Sequence, residues 1–489
     1  MKISFHSQAL DKLALEALIV PLAVGGASKM PAELQSKIPQ TAFASFQGKI
    51  GQHVAIFPNQ GVLERIILVG LGDTQSDIAL TERLRRSVAF GTRESLKLSA
   101  SKIGIYLPET NETVLYESAL MPILAAYRYE KHRSKKEDHK ELEHLVLIGD
   151  KKLAKTRSIL EWVAIIADSV RIARDLVNAP SNIMTPKRLA QAARTMMSGI
   201  KHCTIATWGL PELMRKKFGA LLAVAQGSDE EPQLITLQYQ PPAAKKTVVF
   251  VGKGVTFDTG GINLKPERGI EGMQMDMAGG AIVLTAVTAI AKLKLPIRVI
   301  AIVPATENMP SGAALKPGDI VTTLAGLTIE VANTDAEGRM ILADALTYAA
   351  DFKPDQIIDC ATLTGAALVA LGEEQAALIG NNSTFVDQII KAGTVTGEEL
   401  CRLPLTDDYR EHVKSEIADV KNVGRKSNAG VISGAAFLEK FVPKDLPWAH
   451  IDLAGPAIRS YPRSYEPKGG TGWGVRLLIE YIHSCISEA

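Results

Sequence analysis

The chain has 489 residues, which is too long for one ordinary domain and predicts two or three. Hydrophobic residues make up 46% and charged residues 22%, as in soluble globular proteins, and no uninterrupted apolar run reaches the length of a membrane span. Because 55 basic residues nearly balance 53 acidic ones, leaving a formal net charge of +2, overall charge argues neither for nor against a nucleic-acid partner.

The amino terminus and the cysteines bear on the compartment. Residues 1–6 lead into polar and acidic residues without the apolar core of a signal peptide, so we expect a cytoplasmic protein. The cysteines are widely spaced and form no CxxC pair, which predicts buried, reduced thiols. They are Cys203, Cys360, Cys401 and Cys485.

Residues 1–150 are predicted to form a smaller N-terminal α/β domain. Short apolar segments with the composition of strands accompany one stretch of helical spacing: strands at 17–22, 54–57, 65–69 and 145–148, and a helix at 81–98. A charged run at 131–140 interrupts this pattern. We interpret it as a solvated excursion, with a patch for an acidic partner as the alternative.

A glycine pair in this domain invites a second interpretation. Gly70 and Gly72 follow a predicted strand, as the first glycines of a dinucleotide-binding GxGxxG motif do. Gln75 stands where the third glycine of that motif belongs. A tight turn is therefore the simpler interpretation.

Residues 151–178 have long helical periodicity and are predicted to connect to a larger domain at 179–489. Strands and helices alternate in this second domain: strands at 247–251, 298–303, 327–331 and 356–359, and helices at 279–293, 340–350 and 434–441. The alternation predicts an α/β domain with a central mixed sheet flanked by helices. In such folds, sites lie at the carboxyl ends of the strands.

An acidic turn at 333–340 joins one of these strands to a helix. If Asp335 and Glu337 continue the strand, its period of two directs both carboxylates to one side. Gly338 then releases the backbone into the helix and leaves Arg339 on the first turn. Taken alone, the same residues also suit a helix cap or a solvated turn.

Two further acidic positions lie upstream. Lys253 and Asp258 are five residues apart and would face opposite ways on a straight strand, so the neighbouring glycines must bend the chain if both serve one site. Asp276 precedes a helix rich in glycine and alanine, where a lone aspartate also suits a helix cap.

Asp258, Asp276, Asp335 and Glu337 together are four carboxylates, each at or near a strand end or turn. Four carboxylates at one site repel one another unless cations neutralise them, and two divalent ions would balance the charge. A pair of metal ions can hold a bridging hydroxide and polarise a carbonyl, which are the two functions that peptide hydrolysis needs. The absence of an HExxH motif excludes only the simpler mononuclear peptidases.

At these motifs the chain resembles the leucyl aminopeptidase family, the cytosolic dinuclear metallo-aminopeptidases. The run Asn333–Arg339 matches the family signature at all seven positions, and Val251–Gly254, Thr256–Asp258 and Gly260–Gly261 match its metal loop. The resemblance is strong over residues 170–485 and rests on size and general pattern over the first 150. Further matching segments are 173–178, 362–366, 448–452 and 471–476.

The resemblance implies two divalent metal ions, Zn²⁺ or Mn²⁺, in each subunit. One ion is expected at Asp258, Asp335 and Glu337, and the other at Lys253, Asp258, Asp276 and Glu337. Only a neutral lysine has a lone pair to donate, so Lys253 is expected to be neutral beside the dications.

The resemblance also implies roles around the metals. Lys265 is expected to stay charged and stabilise the oxyanion, and Arg339 to hold a bicarbonate ion that shuttles the proton. The substrate is a peptide whose free α-amine binds near Asp276. The pocket for the first side chain is expected to suit Leu, Met or Phe and to consist of Met273, Thr362, Leu363, Gly365, Ala454 and Ala457.

Several positions depart from the family pattern. Thr259 stands where serine is usual, Gln274 where lysine is usual, and Met340 where leucine is usual. Ala457 is small where some relatives have a larger residue, so the pocket is expected to be wider. None of these departures is a proposed metal ligand.

Two other residues have structural interpretations. His450 is more simply a structural histidine bonded to backbone than a metal ligand, because the expected metal shells are already full. Cys360 ends an apolar strand with no activating base beside it and is predicted to lie in the core.

The leading hypothesis is therefore a cytoplasmic aminopeptidase, and the resemblance further implies a homohexamer of two stacked trimers. One alternative is a non-catalytic or additional role as a regulatory assembly that holds DNA on a basic N-terminal surface. Another is a different dinuclear hydrolase, such as a phosphoesterase, against which the lysine ligand and the lack of histidines count.

Overall fold

The computed structural model describes the chain except residues 8, 9, 11, 12, 59–62, 74, 75, 108, 136–139, 426, 427, 488 and 489. Gln75 and the part of the charged run at 136–139 lie outside the described residues. The chain divides into two compact units, Met1–Asp168 with Tyr461–Lys468, and Ser169–Ser460 with Gly469–Ala489. This division falls within the helix Thr156–Val177, which lies in the region predicted as a connector.

The smaller unit contains one sheet in the order β1-β6-β5-β2-β4-β3. All neighbouring pairs in it are parallel except β3 with β4. Its elements are β1 (Lys2–His6), β2 (Ala17–Ala23), α1 (Ala32–Gln35), α2 (Gln40–Ser45), β3 (His53–Ile56), β4 (Ile66–Gly72), α3 (Leu80–Lys97), β5 (Lys102–Tyr106), α4 (Glu112–Ala125) and β6 (His144–Ile148). Central β2 is buried along all but its last residue, which explains its continuous apolar sequence.

The larger unit is built on a sheet in the order β16-β15-β18-β14-β9-β11-β8-β7, with β10 also paired to β11. The sheet is mixed, since β9, β11, β14 and β18 run parallel, whereas β8 is antiparallel to β11 and β7, and β15 is antiparallel to β18 but parallel to β16. The strands of the larger unit, some of which belong to smaller separate sheets, are β7 (Cys203–Trp208), β8 (Gln233–Tyr239), β9 (Thr247–Gly252), β10 (Gly254–Asp258), β11 (Arg298–Asn308), β12 (Ile320–Thr322), β13 (Thr328–Glu330), β14 (Gln356–Ala361), β15 (Ala376–Gly380), β16 (Leu400–Arg402), β17 (Val420–Lys421), β18 (Trp448–Asp452), β19 (Ile458–Arg459) and β20 (Gly469–Gly470).

Helices accompany this sheet. They are α5 (Thr156–Val177), α6 (Pro186–Met197), α7 (Leu210–Lys216), α8 (Gly219–Ala225), α9 (Glu267–Ile270), α10 (Ala278–Lys292), α11 (Glu337–Ala349), α12 (Gly365–Leu371), α13 (Ser383–Thr396), α14 (Asp407–Arg410), α15 (Gly430–Glu439) and α16 (Val475–Ser487). The predicted two-domain α/β architecture with a mixed sheet and flanking helices is confirmed.

One helical stretch, Glu267–Lys292, has the length and apolar composition of a membrane span, although 89% of its apolar window is buried inside the protein. No other stretch among the described residues passes that test. Asp276 interrupts this stretch, so it does not contradict the expectation of no uninterrupted apolar run of that length. The buried part is α10, whose residues Ala278–Ala291 all lie in the core. Such burial is typical of a core helix.

Two expectations, about one strand and about the burial of the cysteines, need correction. The strand predicted at 327–331 is the short β13, which belongs to a separate three-stranded sheet with β12 and β17 rather than to the main sheet. Of the cysteines, Cys360 is buried as predicted, but Cys203, Cys401 and Cys485 are partly exposed. All four are free thiols, as predicted.

Candidate metal centre

Three carboxylates converge at the end of β10 and the start of α11. Oxygen atoms of Asp258, Asp335 and Glu337 all lie within 4.8 Å of one another. Asp258 and Glu337 are 2% exposed, and Asp335 is partly exposed. The sequence assigned all three to one site, and the structure brings them together.

The route by which Asp335 and Glu337 converge differs from the predicted extended strand. Residues around Asp335 form a turn in which Asn333 Oδ1 accepts a hydrogen bond from the Asp335 amide at 2.8 Å. Glu337 is already the first residue of α11. The carboxylates therefore meet because a turn is followed by the first residue of a helix, and strand periodicity does not apply.

Lys253 joins the fourth carboxylate to this cluster. Its Nζ lies 2.7 Å from Asp276 Oδ2 and 2.9 Å from Glu337 Oε1, and it donates to the Thr362 carbonyl at 2.9 Å. Asp276 lies in the short 3₁₀ helix Met273–Met277 that leads into α10. A buried ammonium with three acceptors thus occupies the middle of the carboxylate set.

The bend that brings Lys253 and Asp258 to one site lies between β9 and β10. Lys253 interrupts the strand, and the pairing of β10 with β11 shifts register between Val255 and Phe257. A Cβ at Gly252 would lie 2.6 Å from the Gly279 carbonyl oxygen, so only glycine permits this close approach. Gly252 therefore has a packing role at the end of β9, beside the start of α10.

A second lysine lies on the other side of the cluster. Lys265 Nζ is 2.8 Å from Asp258 Oδ2 and also forms an ion pair with Asp335 Oδ1, with the side chain 17% exposed. The two ammonium groups therefore face all four carboxylates. Their combined charge of +2 neutralises only half of the charge of four ionised acids.

Burial, together with the remaining negative charge, raises the pKa values of three of these acids. Burial raises the pKa of Asp276 well above its usual range, against the opposing charge of Lys253. Burial raises the pKa of Glu337 and of Asp335 as well. When cations are missing from such a cluster, its carboxylates take up protons instead. The raised pKa values of these acids therefore indicate a place where additional positive charge is favoured.

The lysines respond in the opposite sense to the same charges. Burial lowers the pKa of Lys253, but the charges of Asp276 and Glu337 outweigh burial and raise it above the usual value. The pKa of Lys265 is raised in the same way, with Asp258 contributing most. Lys253 therefore becomes neutral only if divalent ions bind among the carboxylates and supply the positive charge in its place.

The donor set fits divalent cations. Carboxylate oxygens are hard ligands, and four of them converge with one amine nitrogen. Asp276 Oδ2 and Asp335 Oδ1 are buried and accept no well-aligned hydrogen bond, although each faces an ammonium group. Oxygen atoms without hydrogen-bond donors are what a metal-binding site needs.

Residues distant in sequence fix these ligands, and the sequence reasoning did not find them. Asn308 Nδ2, at the end of β11, donates to Asp258 Oδ1 at 2.8 Å and to the Thr334 carbonyl at 3.1 Å. Asn422 holds the acidic turn, since its Oδ1 accepts from Ala332 N at 2.8 Å. The only sequence signal was the position of Asn308 at the carboxyl end of an apolar strand.

Gly338 has a different role from the predicted release of the backbone. It is the second residue of α11, and a Cβ there would lie 2.5 Å from Lys253 Cε and 2.8 Å from its Nζ. The missing side chain at Gly338 leaves the space that Lys253 occupies.

Arg339 has the environment of an anion-binding residue. It is 7% exposed, and its Nη1 donates to the Asn422 carbonyl at 2.9 Å. Its Nε has no hydrogen-bond partner, and no carboxylate of the described residues lies within ion-pair distance. Burial lowers its pKa, with the charges of Glu337 and Asp452 opposing. A buried guanidinium without a paired acid favours a small anion.

The predicted substrate-pocket residues lie in three segments: the 3₁₀ helix that contains Asp276, the segment that follows β14, and the segment that follows β18. Thr362 Oγ1 donates to Asp276 Oδ1 at 2.7 Å, and Met273 begins the 3₁₀ helix that contains Asp276. A Cβ at Gly365 would meet open space. Ala457 is 2% exposed, and its amide donates to the Leu453 carbonyl at 3.0 Å.

Asp452 organises the loop that contains Leu363. This aspartate is fully buried, and its Oδ1 accepts from Leu363 N at 3.1 Å and Ala454 N at 3.3 Å. Its Oδ2 accepts from Thr364 Oγ1 at 2.7 Å. The sequence comparison had noted Asp452 without assigning it a role.

His450 is structural, but its partner differs from the predicted backbone group. Its Nδ1 lies 2.5 Å from Asp359 Oδ1, and Trp448 Nε1 donates to Asp359 Oδ2 at 2.7 Å. Burial lowers the pKa of His450, but the charge and hydrogen bond of Asp359 outweigh burial and raise it. The contact of His450 Nδ1 with Asp359 Oδ1 therefore links β14 to β18 inside the core.

Two family models cover most of the chain. The model described as "Cytosol aminopeptidase family, catalytic domain" matches residues 171–479, and the one described as "Cytosol aminopeptidase family, N-terminal domain" matches residues 33–136.

Curated relatives match at similar length. A probable cytosol aminopeptidase of Desulfotalea psychrophila is 40% identical and covers 98% of each chain. A probable cytosol aminopeptidase of Syntrophotalea carbinolica is 45% identical over 90% of this chain and 89% of that one.

Solved structures have the same fold. A mutant of tomato leucine aminopeptidase superposes with a TM-score of 0.87 at 32% identity, covering 99% of this chain and 96% of that one. The bottromycin maturation enzyme BotP in complex with Mn superposes with a TM-score of 0.86 at 33% identity, covering 96% and 100%.

Proposed function

The chain belongs to the cytosol aminopeptidase family, and we propose that it removes hydrophobic N-terminal residues, with leucine preferred, from peptides. Family membership establishes a metal-dependent aminopeptidase. The single observation that supports the proposed chemistry most strongly is the convergence of Asp258, Asp335 and Glu337 within 4.8 Å beside the Lys253–Asp276 pair.

We propose that one divalent ion is held by Asp258, Asp335 and Glu337, and a second by Lys253, Asp258, Asp276 and Glu337. Zn²⁺ or Mn²⁺ suits this set, and the BotP structure contains Mn. Two such ions supply a hydroxide nucleophile at neutral pH and Lewis-acid polarisation of the peptide carbonyl.

The surrounding residues act on the substrate. Lys265 has its ammonium group at the carboxylate cluster and is placed to stabilise negative charge that develops on the carbonyl oxygen. Arg339 would hold a bicarbonate ion, which would supply a proton acceptor for the attacking water. The substrate ammonium, once deprotonated, lies by Asp276, and an internal peptide nitrogen cannot replace it because its lone pair is delocalised.

The first side chain of the substrate lies among Met273, Thr362, Leu363, Gly365, Ala454 and Ala457. Most of these residues offer apolar atoms, which suits leucine and similar side chains. The small Ala457 is expected to widen this pocket, and Gln274 removes a positive charge beside Asp276.

Hydrolysis of leucine p-nitroanilide by the metal-loaded chain tests the function. We expect activity with added Zn²⁺ or Mn²⁺, and loss of activity in Glu337→Ala. The exposed Glu416→Ala serves as the matched control and should retain activity. Inactive metal-loaded protein, or full activity in Glu337→Ala, would contradict the proposal.

We further propose a cytoplasmic homohexamer. The relatives are named cytosol aminopeptidases. Sedimentation should give the mass of six 52.6 kDa chains, and a mass of one chain would contradict the hexamer.

The family match argues against a phosphoesterase. The role in holding DNA stays a prediction, which salt-dependent binding to duplex DNA would test.

A further inference from the structure

The smaller unit contains a cavity that the peptidase chemistry does not use. Its volume is about 220 Å³, and all of its lining residues belong to this unit. They are Pro21, Leu22, Ala23, Gly26, Met30, Leu71, Leu80, Leu84, Tyr106, Glu109 and Val114.

The cavity lies where the topology of the sheet predicts a binding site. Leu22 and Ala23 end β2, Leu71 lies near the end of β4, and Tyr106 ends β5. These three strands are parallel neighbours, with β2 between the other two. From β2 the chain continues to β3 and then β4 on one side of the sheet, and from β5 it continues to β6 on the other. The carboxyl ends of strands at such a reversal form the usual ligand crevice of open α/β sheets.

The lining is mainly apolar. Leu22, Met30, Leu71, Leu84 and Val114 supply side chains without polar hydrogen-bonding groups. An engineered cavity of about 150 Å³ in another protein holds benzene, so a cavity of this size accommodates a branched or aromatic group. A preformed apolar cavity of this kind gains affinity from every methylene that enters it.

The polar part of the lining is negative. Glu109 lines the cavity, is exposed, and has no cation within ion-pair distance among the residues that the structure describes. The amino-terminal ends of α3 and α4 carry partial positive charge, which would favour an anion. Their first turns already contain the negative charges of Glu82 and Glu112. Those two glutamates are paired with Arg86 and Lys155, so within the part of the chain that the structure describes Glu109 is the lining carboxylate without a balancing cation.

A nearby arginine does not reverse this balance. Arg83 donates to the Leu71 carbonyl at 2.9 Å and to the Asp73 carbonyl, and it does not line the cavity. Its guanidinium is therefore engaged with the backbone at the end of β4. The charge that a ligand meets at the cavity is the carboxylate of Glu109.

We propose that this cavity binds a small apolar molecule that carries one ammonium group. The apolar group lies among Leu22, Met30 and Leu84, and the ammonium group pairs with Glu109. An anionic ligand would meet uncompensated repulsion from Glu109, and a neutral one would leave this carboxylate unused.

Calorimetric titration of the full, metal-loaded chain with isopentylamine tests the proposal. The probes for comparison are 3-methylbutan-1-ol and 4-methylpentanoate, which keep the branched chain but are neutral and anionic. Because an amine can also bind at the metal centre, the cavity is identified by the component that disappears in Ala23→Phe, which fills it. Val114→Phe fills it from another side, and Val24→Phe is the control because Val24 is exposed and outside the lining.

We expect the amine to bind more tightly than the alcohol and the alcohol more tightly than the carboxylate. Glu109→Gln should weaken the amine about two- to fivefold, as for an exposed ion pair, and leave the alcohol unchanged. Equal binding of all three probes, or binding that persists in both filling variants, would overturn the proposal. The readout is independent of peptide hydrolysis, so failure of the proposed function would not affect it.

Discussion

Gly338 occupies the point where α11 passes Lys253, and its missing side chain is what admits the lysine. A Cβ there would lie 2.5 Å from Lys253 Cε, so Gly338→Ala must displace the ammonium from Asp276 and Glu337. We expect at least a tenfold loss of activity and weaker binding of one metal ion, measured by kinetics and metal analysis. Gly312→Ala, where a Cβ meets open space, is the control. Unchanged metal content in Gly338→Ala would contradict this role.

Arg339 is expected to act after the metals are bound. Arg339→Ala removes the anion site but no metal ligand, so turnover should fall about 10²-fold, as for loss of a proton acceptor, with both metals retained. Removing bicarbonate from the buffer should slow the wild type and not the variant. Arg402→Ala, which breaks an exposed ion pair with Asp387 and a hydrogen bond to Ser383, is the control. Loss of metal from Arg339→Ala would show that the residue supports the ligands instead.

Asp452 is expected to position the substrate loop. Asp452→Ala leaves Leu363 N, Ala454 N and Thr364 Oγ1 without their buried acceptor, and each such bond to a charged group is worth about 1.5–3 kcal/mol. We expect kcat/KM for leucine p-nitroanilide to fall at least tenfold with two metals still bound. Asp452→Asn should lose less, because it keeps one acceptor. A purely structural role would lower stability while leaving kcat/KM of the folded protein unchanged.

At the scale of elements, Asp344 ties α11 to two neighbours. This fully buried aspartate accepts from Ala220 N at 2.9 Å and Leu221 N at 3.0 Å at the start of α8, and from Leu324 N at 2.8 Å. Burial raises its pKa from 3.8 to about 7, although the three amides oppose the shift. The position of α11, and with it Glu337 and Arg339, depends on this contact.

The raised pKa of Asp344 predicts the pH dependence of stability. The folded state binds this proton more tightly than the unfolded state does, so the stabilising contribution is present below about pH 4 and is lost as pH rises through about 7. The amide side chain introduced by Asp344→Asn cannot ionise. The unfolding free energy of the wild type should therefore fall relative to Asp344→Asn between about pH 4 and pH 8 in urea titrations. A relative rise would mean that the three amides favour the carboxylate.

The acidic turn shows how far sequence patterns predict elements. Alternation of apolar segments predicted the two α/β domains and the helix that follows Asp335, because these patterns are local. Neither the turn at Asp335 nor the separate sheet of β13 could be predicted, since both depend on pairing with distant segments. Asn308 and Asn422 contact the site from far along the chain, and one sequence carries no signal for that.

The convergence of the proposed metal ligands was the part of the candidate site that the sequence predicted best. Asp258, Asp276, Asp335 and Glu337 follow strands or turns, and charge balance alone indicated two cations. The role of Gly338 was missed because it is a steric relation to Lys253, 85 positions away, that only packing reveals. The segment Tyr461–Lys468 likewise belongs to the smaller unit, although nothing in its sequence separates it from the larger one.

For the whole molecule, the central claim is that two divalent ions complete the cluster of four carboxylates. The most direct test is to remove metal by chelation, add Zn²⁺ or Mn²⁺ back in steps, and follow leucine p-nitroanilide hydrolysis and thermal unfolding together. We predict that activity rises to a maximum at two ions per chain and that Tm rises as metal binds the folded state. Activity that is complete without metal, or at the same stoichiometry in Glu337→Ala, would contradict the account.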